Sequence, residues 1–462
     1  MIIEQIYTGC LSQGAYYIES NGDAAIIDPL REVAPYIEKA KKNKAAIKYI
    51  FETHFHADFV SGHLSLAKET GATIVYVPED KKSYDSLIAK DHQEFKIGNI
   101  TLTVLHTPGH TMESTTYLLR DQNEKEIAIF SGDTLFLGDV GRPDLAQKAA
   151  NISQEELAGI LYESLWEKIM PLPDDVLIYP AHGAGSACGK NLSKETVGTL
   201  GEQKRKNYAL REDMTKEEFI SEVTKDLLPA PQYFPLNVKM NMEGYEHIDT
   251  VLESGTKSLS LNEFEAIANE NEAIILDVRH QNEFAKGHIP KSIFIGIDGG
   301  FAPWAGSIIG NISQPILLVT PKGREKETVT RLARVGFDNT LGYLEGGTEI
   351  WYKAGKNLDS VNSVDTHGLK QLMERDNIKI FDVRKPQEYQ SEHVTNAFST
   401  PLDFINDHLS EFPSNLPFYV HCAGGYRSMI AASILKRMEI HNIIDIKGGF
   451  TKIKEAGIEV SN

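Results

Sequence analysis

A multidomain α/β protein is the fold class this sequence predicts, and three observations carry the prediction. The first is length. The chain has 462 residues, beyond the roughly 250–300 at which single hydrophobic cores stop growing, so two to four domains are expected. The second is alternation: up to about residue 240, short β-type runs alternate with polar turns and helical stretches. The third is an internal repeat that fills the rest of the chain as two tandem units, about 258–357 and 364–462.

Composition narrows the class further. Hydrophobic residues make up 41% and charged residues 24%, as in ordinary globular proteins, which excludes a long disordered or fibrous chain. A net charge of −18 argues against nucleic acid or an anionic membrane as a general partner. Only Cys10, Cys188 and Cys422 occur, in no C-x-x-C pair. That excludes a disulfide framework and a cysteine-type structural zinc site, and it suits a reducing cytosol. Glu4 stands where a signal peptide needs basic residues, and no apolar run nears the roughly 20 residues that span a bilayer. A soluble, cytoplasmic protein is expected.

In chain order, strands are predicted at 24–27, 47–52, 73–77, 101–106, 116–120, 126–131 and 176–180, with polar-faced helices at 190–210 and 216–226. Several of these strands end near a histidine or aspartate: Asp28, His54, His106, Asp133 and His182. Strand ends that share a crevice are where such folds place their chemistry. From Leu227 the run Leu-Leu-Pro-Ala-Pro-Gln-Tyr-Phe-Pro cannot be a regular element, and it reads as the way out of the first domain. The domain boundaries expected are 1–240, a linker at 241–257, then 258–357 and 364–462.

The repeat is read residue by residue. Leu276-Asp-Val-Arg-x-x-x-Glu-Phe284 returns as Phe381-Asp-Val-Arg-x-x-x-Glu-Tyr389, and His288-Ile289 returns as His393-Val394, 105 positions on. Glu345-Gly-Gly347 answers Lys447-Gly-Gly449, and Ala354-Gly355 answers Ala456-Gly457, 102 positions on. Each unit alternates strand and helix, so a parallel sheet is expected in each.

Two constellations carry chemistry. In the first domain, Thr53-His-Phe-His-Ala-Asp58 presents His54, His56 and Asp58 at alternating positions after a strand, followed downstream by His110, Asp133 and His182. Imidazole and carboxylate at this spacing suit Fe, Zn or Mn. In the last unit, Phe418-Tyr-Val-His-Cys422 is an apolar strand ending in a cysteine, followed by Ala-Gly-Gly-Tyr-Arg427-Ser428 and a helical run. A helix N-terminus and Arg427 near the sulfur favour thiolate, so a nucleophilic Cys422 is expected, with an anion cradled by the same amides. His421 either adds to this field or is structural.

The first constellation resembles the metallo-β-lactamase superfamily, over about residues 1–240. Its dinuclear members carry a histidine directly after the H-x-H-x-D aspartate, where this chain has Phe59. A phenyl ring cannot ligate, which argues for one metal rather than two. Within the superfamily the likeness is to persulfide dioxygenases. That resemblance implies a mononuclear non-haem Fe(II) held by His54, His110 and Asp133, with His56, Asp58 and His182 orienting ligands or water. It also implies that Arg142, in Gly141-Arg-Pro-Asp144, binds an anionic group of a carrier thiol. Zinc-dependent hydrolysis of a thioester, of the glyoxalase II type, stays open beside it.

C-x-x-G-x-R-S after a strand, with its upstream Asp-Val-Arg, resembles the rhodanese domain of sulfurtransferases. The likeness implies Cys422 as sulfur carrier and Arg427 at the substrate, with Gly424, Gly425 and Ser428 in the anion cradle. Asp382, Arg384, Glu388 and His393 would be scaffold. A phosphatase loop is the competing reading, though phosphate needs one residue more between cysteine and arginine. In the first copy Thr320, Lys322 and Glu325 stand where the second has Cys422, Gly424 and Arg427, so that module is expected to be inactive, with a docking or homo-oligomer contact left open to it. Cys188 reads either as a buried inert thiol or as a sulfur relay. The implied fold is a metallo-β-lactamase αββα sandwich followed by two rhodanese-like parallel α/β domains, and the implied substrates are a thiol persulfide, O₂ and sulfite or thiosulfate.

Overall fold

The computed structural model describes residues 1–77, 83–147, 151–375 and 377–462. The chain divides into two compact units: Met1–Ile248 with Ala333–Gly336, and Asp249–Leu332 with Phe337–Asn462.

In the first unit two six-stranded sheets lie face to face. One runs in the order Ile2–Thr8, Gln13–Ser20, Asp23–Ile27, Ala46–Phe51, Thr73–Tyr76, Leu87–Ile88. The other runs Gly198–Thr199, Leu177–Pro180, Glu126–Gly132, Thr115–Arg120, Ile100–His106, Glu94–Ile97. Strand alternation explains the layers. Ala25 and Ile27 join Tyr117, Leu119 and Phe130 in the core between the sheets. Their neighbours Ala24 and Ile26 pack instead with Tyr36, Ala40 and Leu66 of the helices Ala34–Asn43 and His63–Thr70. Leu118, one residue from Tyr117, packs with Leu161, Leu165 and Phe219 on the far face. Both faces of both sheets are therefore buried, which is why these strands read as continuous apolar runs.

The second unit holds two five-stranded parallel sheets of identical order: Ser258–Leu259, Thr340–Leu344, Ile316–Val319, Ile274–Asp277, Ile293–Phe294, and Asn362–Val364, Ile443–Ile446, Phe418–His421, Ile380–Asp382, Phe398–Ser399. Each has its own core, around Phe264 and Leu317 in the first module and around Leu369 and Ile453 in the second.

Two expectations are corrected. The helix expected over 190–210 begins only at Leu200 and ends at Lys206, with a 3₁₀ turn at Tyr208–Leu210. Asp139 Oδ2 accepts the backbone N–H groups of Lys190 and Asn191, and Ser193 N–H donates to Leu137 O, which leaves the segment before Gly198 with non-helical partners. Thr199 caps the helix through Glu202 N–H. The linker expected at 241–257 contains the helix Ile248–Gly255 and the end of Phe234–Glu243. Pro235 sits in the first turn of that latter helix, where its missing N–H would be unpaired in any case.

Candidate functional site

The segment after Ala46–Phe51 delivers His54 to a point shared with His110, which follows Ile100–His106, and Asp133, which follows Glu126–Gly132. Asp133 Oδ2 lies 3.4 Å from His110 Nε2 and 3.9 Å from His54 Nε2. One donor atom from each residue lies within 4.8 Å of the others, and all three residues are buried.

The hydrogen-bond network assigns the tautomers. His110 Nδ1 is 2.9 Å from the Arg142 carbonyl oxygen, so Nδ1 carries the proton and Nε2 presents a lone pair. Thr53 Oγ1 donates to Asp28 Oδ2 at 2.8 Å. Its oxygen is thus an acceptor for His54 Nδ1 at 3.0 Å, and His54 Nε2 is again free. Burial, then the neighbouring imidazoles of His56, His110 and His182, hold His54 well below the usual histidine range, so it is neutral, as a ligand must be. Both oxygens of Asp133 are buried, and among the described residues neither meets hydrogen-bond geometry with a partner, the buried Cys188 thiol lying nearby. A buried carboxylate left so beside two lone pairs is costly unless a cation completes it. This donor set fits a divalent metal.

The other three histidine and aspartate positions separate into two groups. His56 turns to Asp28 and Glu52, its Nε2 lying 3.1 Å from Asp28 Oδ1 and 3.7 Å from Glu52 Oε2. Burial alone would lower its pKa, but the Asp28 and Glu52 carboxylates prevail and raise it to about 9. Phe59 is fully buried, with its ring 4.3 Å from that of His56. His182 Nε2 lies 3.4 Å from Asp58 Oδ2 and 3.5 Å from Asp133 Oδ1, and burial, with Asp133 nearby, raises the Asp58 carboxyl. Glu52 was not singled out from the sequence. Its signal is a carboxylate at the end of an apolar strand, two residues before His54.

Cys188 joins the Asp58–His182 group. Burial, then the charges of Asp133 and Asp58, push its thiol well above the usual range, so at rest it is a protonated thiol. Arg142 departs from expectation. Its guanidinium donates to both carboxylate oxygens of Asp144 at 2.7 Å, to Ala187 O at 3.2 Å and to Leu228 O at 2.5 Å, and the residue is 6% exposed. The side chain is a strut rather than an open anion site, because its donors are directed at Asp144 and two carbonyls. Its contribution to the centre is the carbonyl that orients His110.

In the second unit, Cys422 follows the central strand Phe418–His421 and receives the Gly425 N–H at 3.1 Å from Sγ. Gly425 has φ +102° and caps the helix Tyr426–Arg437, a conformation that glycine adopts without strain. Arg427 forms a two-pronged pair with Glu388 at 2.6 and 2.9 Å. Gly424 is open: among the described residues, no atom lies within 4 Å of where a Cβ would stand. Ser428 is corrected: it is fully buried and its hydroxyl donates to Asp445 Oδ1 at 2.6 Å, so it anchors the helix start and offers nothing to an anion. Asp382 and Arg384 pair at 2.6 Å, and His393 stacks on Tyr389 with centroids 3.9 Å apart, as scaffold residues would.

Comparisons with known proteins agree with this architecture. The metallo-beta-lactamase superfamily model matches residues 8–182, and the rhodanese-like domain model matches 260–354 and 365–456. A probable hydroxyacylglutathione hydrolase of Schizosaccharomyces pombe is 33% identical over 42% of this chain and 75% of its own length. The mitochondrial persulfide dioxygenase ETHE1 of Homo sapiens is 30% identical over 48% of this chain and 78% of its own. The crystal structure of a metallo-beta-lactamase from Staphylococcus aureus superposes with a TM-score of 0.65 at 32% identity, covering 74% of this chain and 98% of that one. The chain belongs to the metallo-beta-lactamase superfamily, extended by two tandem rhodanese-like domains.

Proposed function

We propose that this chain is a persulfide dioxygenase joined to a sulfurtransferase, serving sulfide detoxification. In the first domain R–S–SH, O₂ and H₂O would give R–SH, sulfite and two protons. In the last domain Cys422 would carry sulfane sulfur to or from sulfite or thiosulfate.

One observation carries the first half. Two imidazoles, each with its Nδ1 engaged so that Nε2 is turned to the same point, meet the Asp133 carboxyl there, while His56 is held by Asp28 and Glu52 and Phe59 replaces the imidazole a second ion would use. That donor set suits a mononuclear non-haem Fe(II), which when bound would supply open coordination positions and redox chemistry for persulfide sulfur and O₂. His54, His110 and Asp133 would hold it. Thr53 and the Arg142 carbonyl keep both Nε2 lone pairs directed at it, and Asp133 offsets part of its charge. The Asp58–His182 pair borders the same space and can accept or return a proton there. Three free cysteines fit a reducing, cytoplasmic setting.

For the second half, Cys422 Sγ would attack the outer sulfur of thiosulfate. The S–S bond of thiosulfate breaks, sulfite leaves with the electron pair, and a cysteine persulfide remains; the reverse reaction makes thiosulfate from sulfite. The Gly425 N–H at 3.1 Å faces the sulfur on which charge collects.

A hydrolytic reading, a dinuclear zinc thioesterase of the glyoxalase II type, draws on the hydroxyacylglutathione hydrolase relative. It also draws on the Asp58–His182–Cys188 group beside Asp133. Anaerobic loading with Fe(II), followed by oxygen-electrode and sulfite assays on a thiol persulfide, separates the two. The proposal expects one sulfite per O₂ consumed, with uptake lost in Asp133→Ala. Iron-loaded protein that consumes no oxygen overturns it.

A further inference from the structure

The helix Tyr426–Arg437 starts at the Cys422 loop, and one of its faces is fastened to the first, silent module. Tyr426 Oη donates to Gly296 O at 2.6 Å, and its ring lies 5.9 Å from that of Phe294. Further along the helix, Ser433 Oγ accepts the Phe294 N–H at 3.0 Å, Arg437 donates to Lys291 O at 2.8 Å, and Lys436 Nζ pairs with Asp359 at 3.0 Å. Positions 426, 433 and 437 form one helical stripe. The seat for Tyr426 is built from absent side chains. A Cβ on Gly299 would stand 2.3 Å from the Tyr426 ring, and one on Gly296 3.2 Å from it. Neither glycine is among the residues with positive φ, so the reason for glycine here is space, not backbone freedom.

Tyr426 also directly follows Gly425, the residue whose N–H contacts Cys422 Sγ. That N–H belongs to the peptide one residue before the Tyr426 backbone, so the seat of the Tyr426 ring anchors the loop just beyond it. We infer that Tyr426 is a positioning residue for sulfur transfer at Cys422, and that the silent module is the platform that holds it. The inference rests on reading Cys422 as a sulfur carrier. It gives the first module a task that needs none of the chemistry it lacks.

The test works from both sides of the seat in the full-length chain. Tyr426→Ala should lower kcat for thiosulfate-dependent sulfur transfer roughly tenfold with KM within about twofold, because a displaced group, not a lost binding contact, limits the rate. Tyr426→Phe, which keeps the ring, should recover most of that loss. Gly299→Ala, in the other module, should slow transfer by pushing the ring, which has a cavity of about 250 Å³ lined by Arg279, Asp298 and its own edge to move into. Combined with Tyr426→Ala it should add nothing, a non-additivity that marks direct coupling. Iodoacetamide labelling of Cys422, located by peptide mass, reads the same positioning without any substrate. Wild-type rates in Tyr426→Ala and Gly299→Ala, or purely additive losses, overturn the inference. Wild-type protein that gains no sulfur from thiosulfate overturns the sulfur-carrier reading instead, and the labelling rates still decide the positioning.

Discussion

The two modules of the second unit share a scaffold and differ in one loop. In the first, Arg279 grips Asp277 and donates to Gly287 O, and His288 stacks on Phe284. In the second, Arg384 grips Asp382 and donates to Glu392 O, and His393 stacks on Tyr389. The loops even share their left-handed glycine, at φ +85° in Gly323 and +102° in Gly425. What differs is the partner of that glycine's N–H. In the second module it is Cys422 Sγ at 3.1 Å. In the first it is Glu325 Oε1 at 3.0 Å, with the Thr320 hydroxyl 3.5 Å from the same oxygen. The first module keeps the left-handed glycine and turns its N–H to a carboxylate of its own loop. Under the proposed function, the inactivity expected of this module would be occupation of the loop by that carboxylate as well as loss of a nucleophile.

Cys422→Ser should abolish sulfur loading from thiosulfate, read as loss of the one-sulfur mass gain, and leave oxygen uptake by the first domain unchanged. Moving the loop chemistry across is the sharper trial. Thr320→Cys alone should stay unreactive beside Glu325, whereas Thr320→Cys with Lys322→Gly and Glu325→Arg should gain sulfur at residue 320, mapped by peptide mass. If the single change reacts as well as the triple, the carboxylate is not the block.

The shared scaffold predicts similar penalties. Asp277→Asn and Asp382→Asn each leave a guanidinium without its charge partner, half-buried at Arg279 and buried at Arg384, and the cost in denaturant unfolding should reach roughly 3–5 kcal/mol for Asp382→Asn and somewhat less for Asp277→Asn. A much smaller loss in the first module would mean that its scaffold has relaxed along with its loop.

The smallest effect is a pH dependence. Burial lifts the Asp445 carboxyl from 3.8 to about 6, with the Ser428 hydroxyl acting against that rise. The folded chain then holds a proton between about pH 4 and 6 that the unfolded chain has released. Stability contributed by this site therefore falls as pH rises through that window and is level above it. Asp445→Asn keeps an acceptor for Ser428 and should flatten this part of the stability profile by about 1–3 kcal/mol, measured as the difference from wild type.

Much of this was legible in the sequence because it is written in spacing. The 105-residue offset of Asp277, Arg279 and His288 is the scaffold itself, and the convergence of His54, His110 and Asp133 follows from strands that end in one crevice. What was not legible depends on three-dimensional partners. Arg142 carries the residue type of an anion site, but Asp144 and two carbonyls already engage it. Ser428 lies at the mouth of the loop in sequence, yet its hydroxyl is aimed at Asp445 beneath. Glu52, ending an apolar strand, becomes meaningful only when His56 is seen to turn toward it. The helix Ile248–Gly255 was missed because the neighbouring prolines dominate the local pattern.

Whether the first domain oxidises a persulfide at a one-metal centre, as proposed, is decided by loading it with different metals. Protein loaded with Fe(II) or with Zn(II) would be compared for metal content, O₂ consumption on a thiol persulfide and hydrolysis of a glutathione thioester. A persulfide dioxygenase would hold one iron per chain, show O₂ uptake matched by sulfite only in the iron-loaded protein, and hydrolyse no thioester in either form. Two zinc ions per chain with thioester turnover, and no oxygen uptake with iron, would contradict that reading.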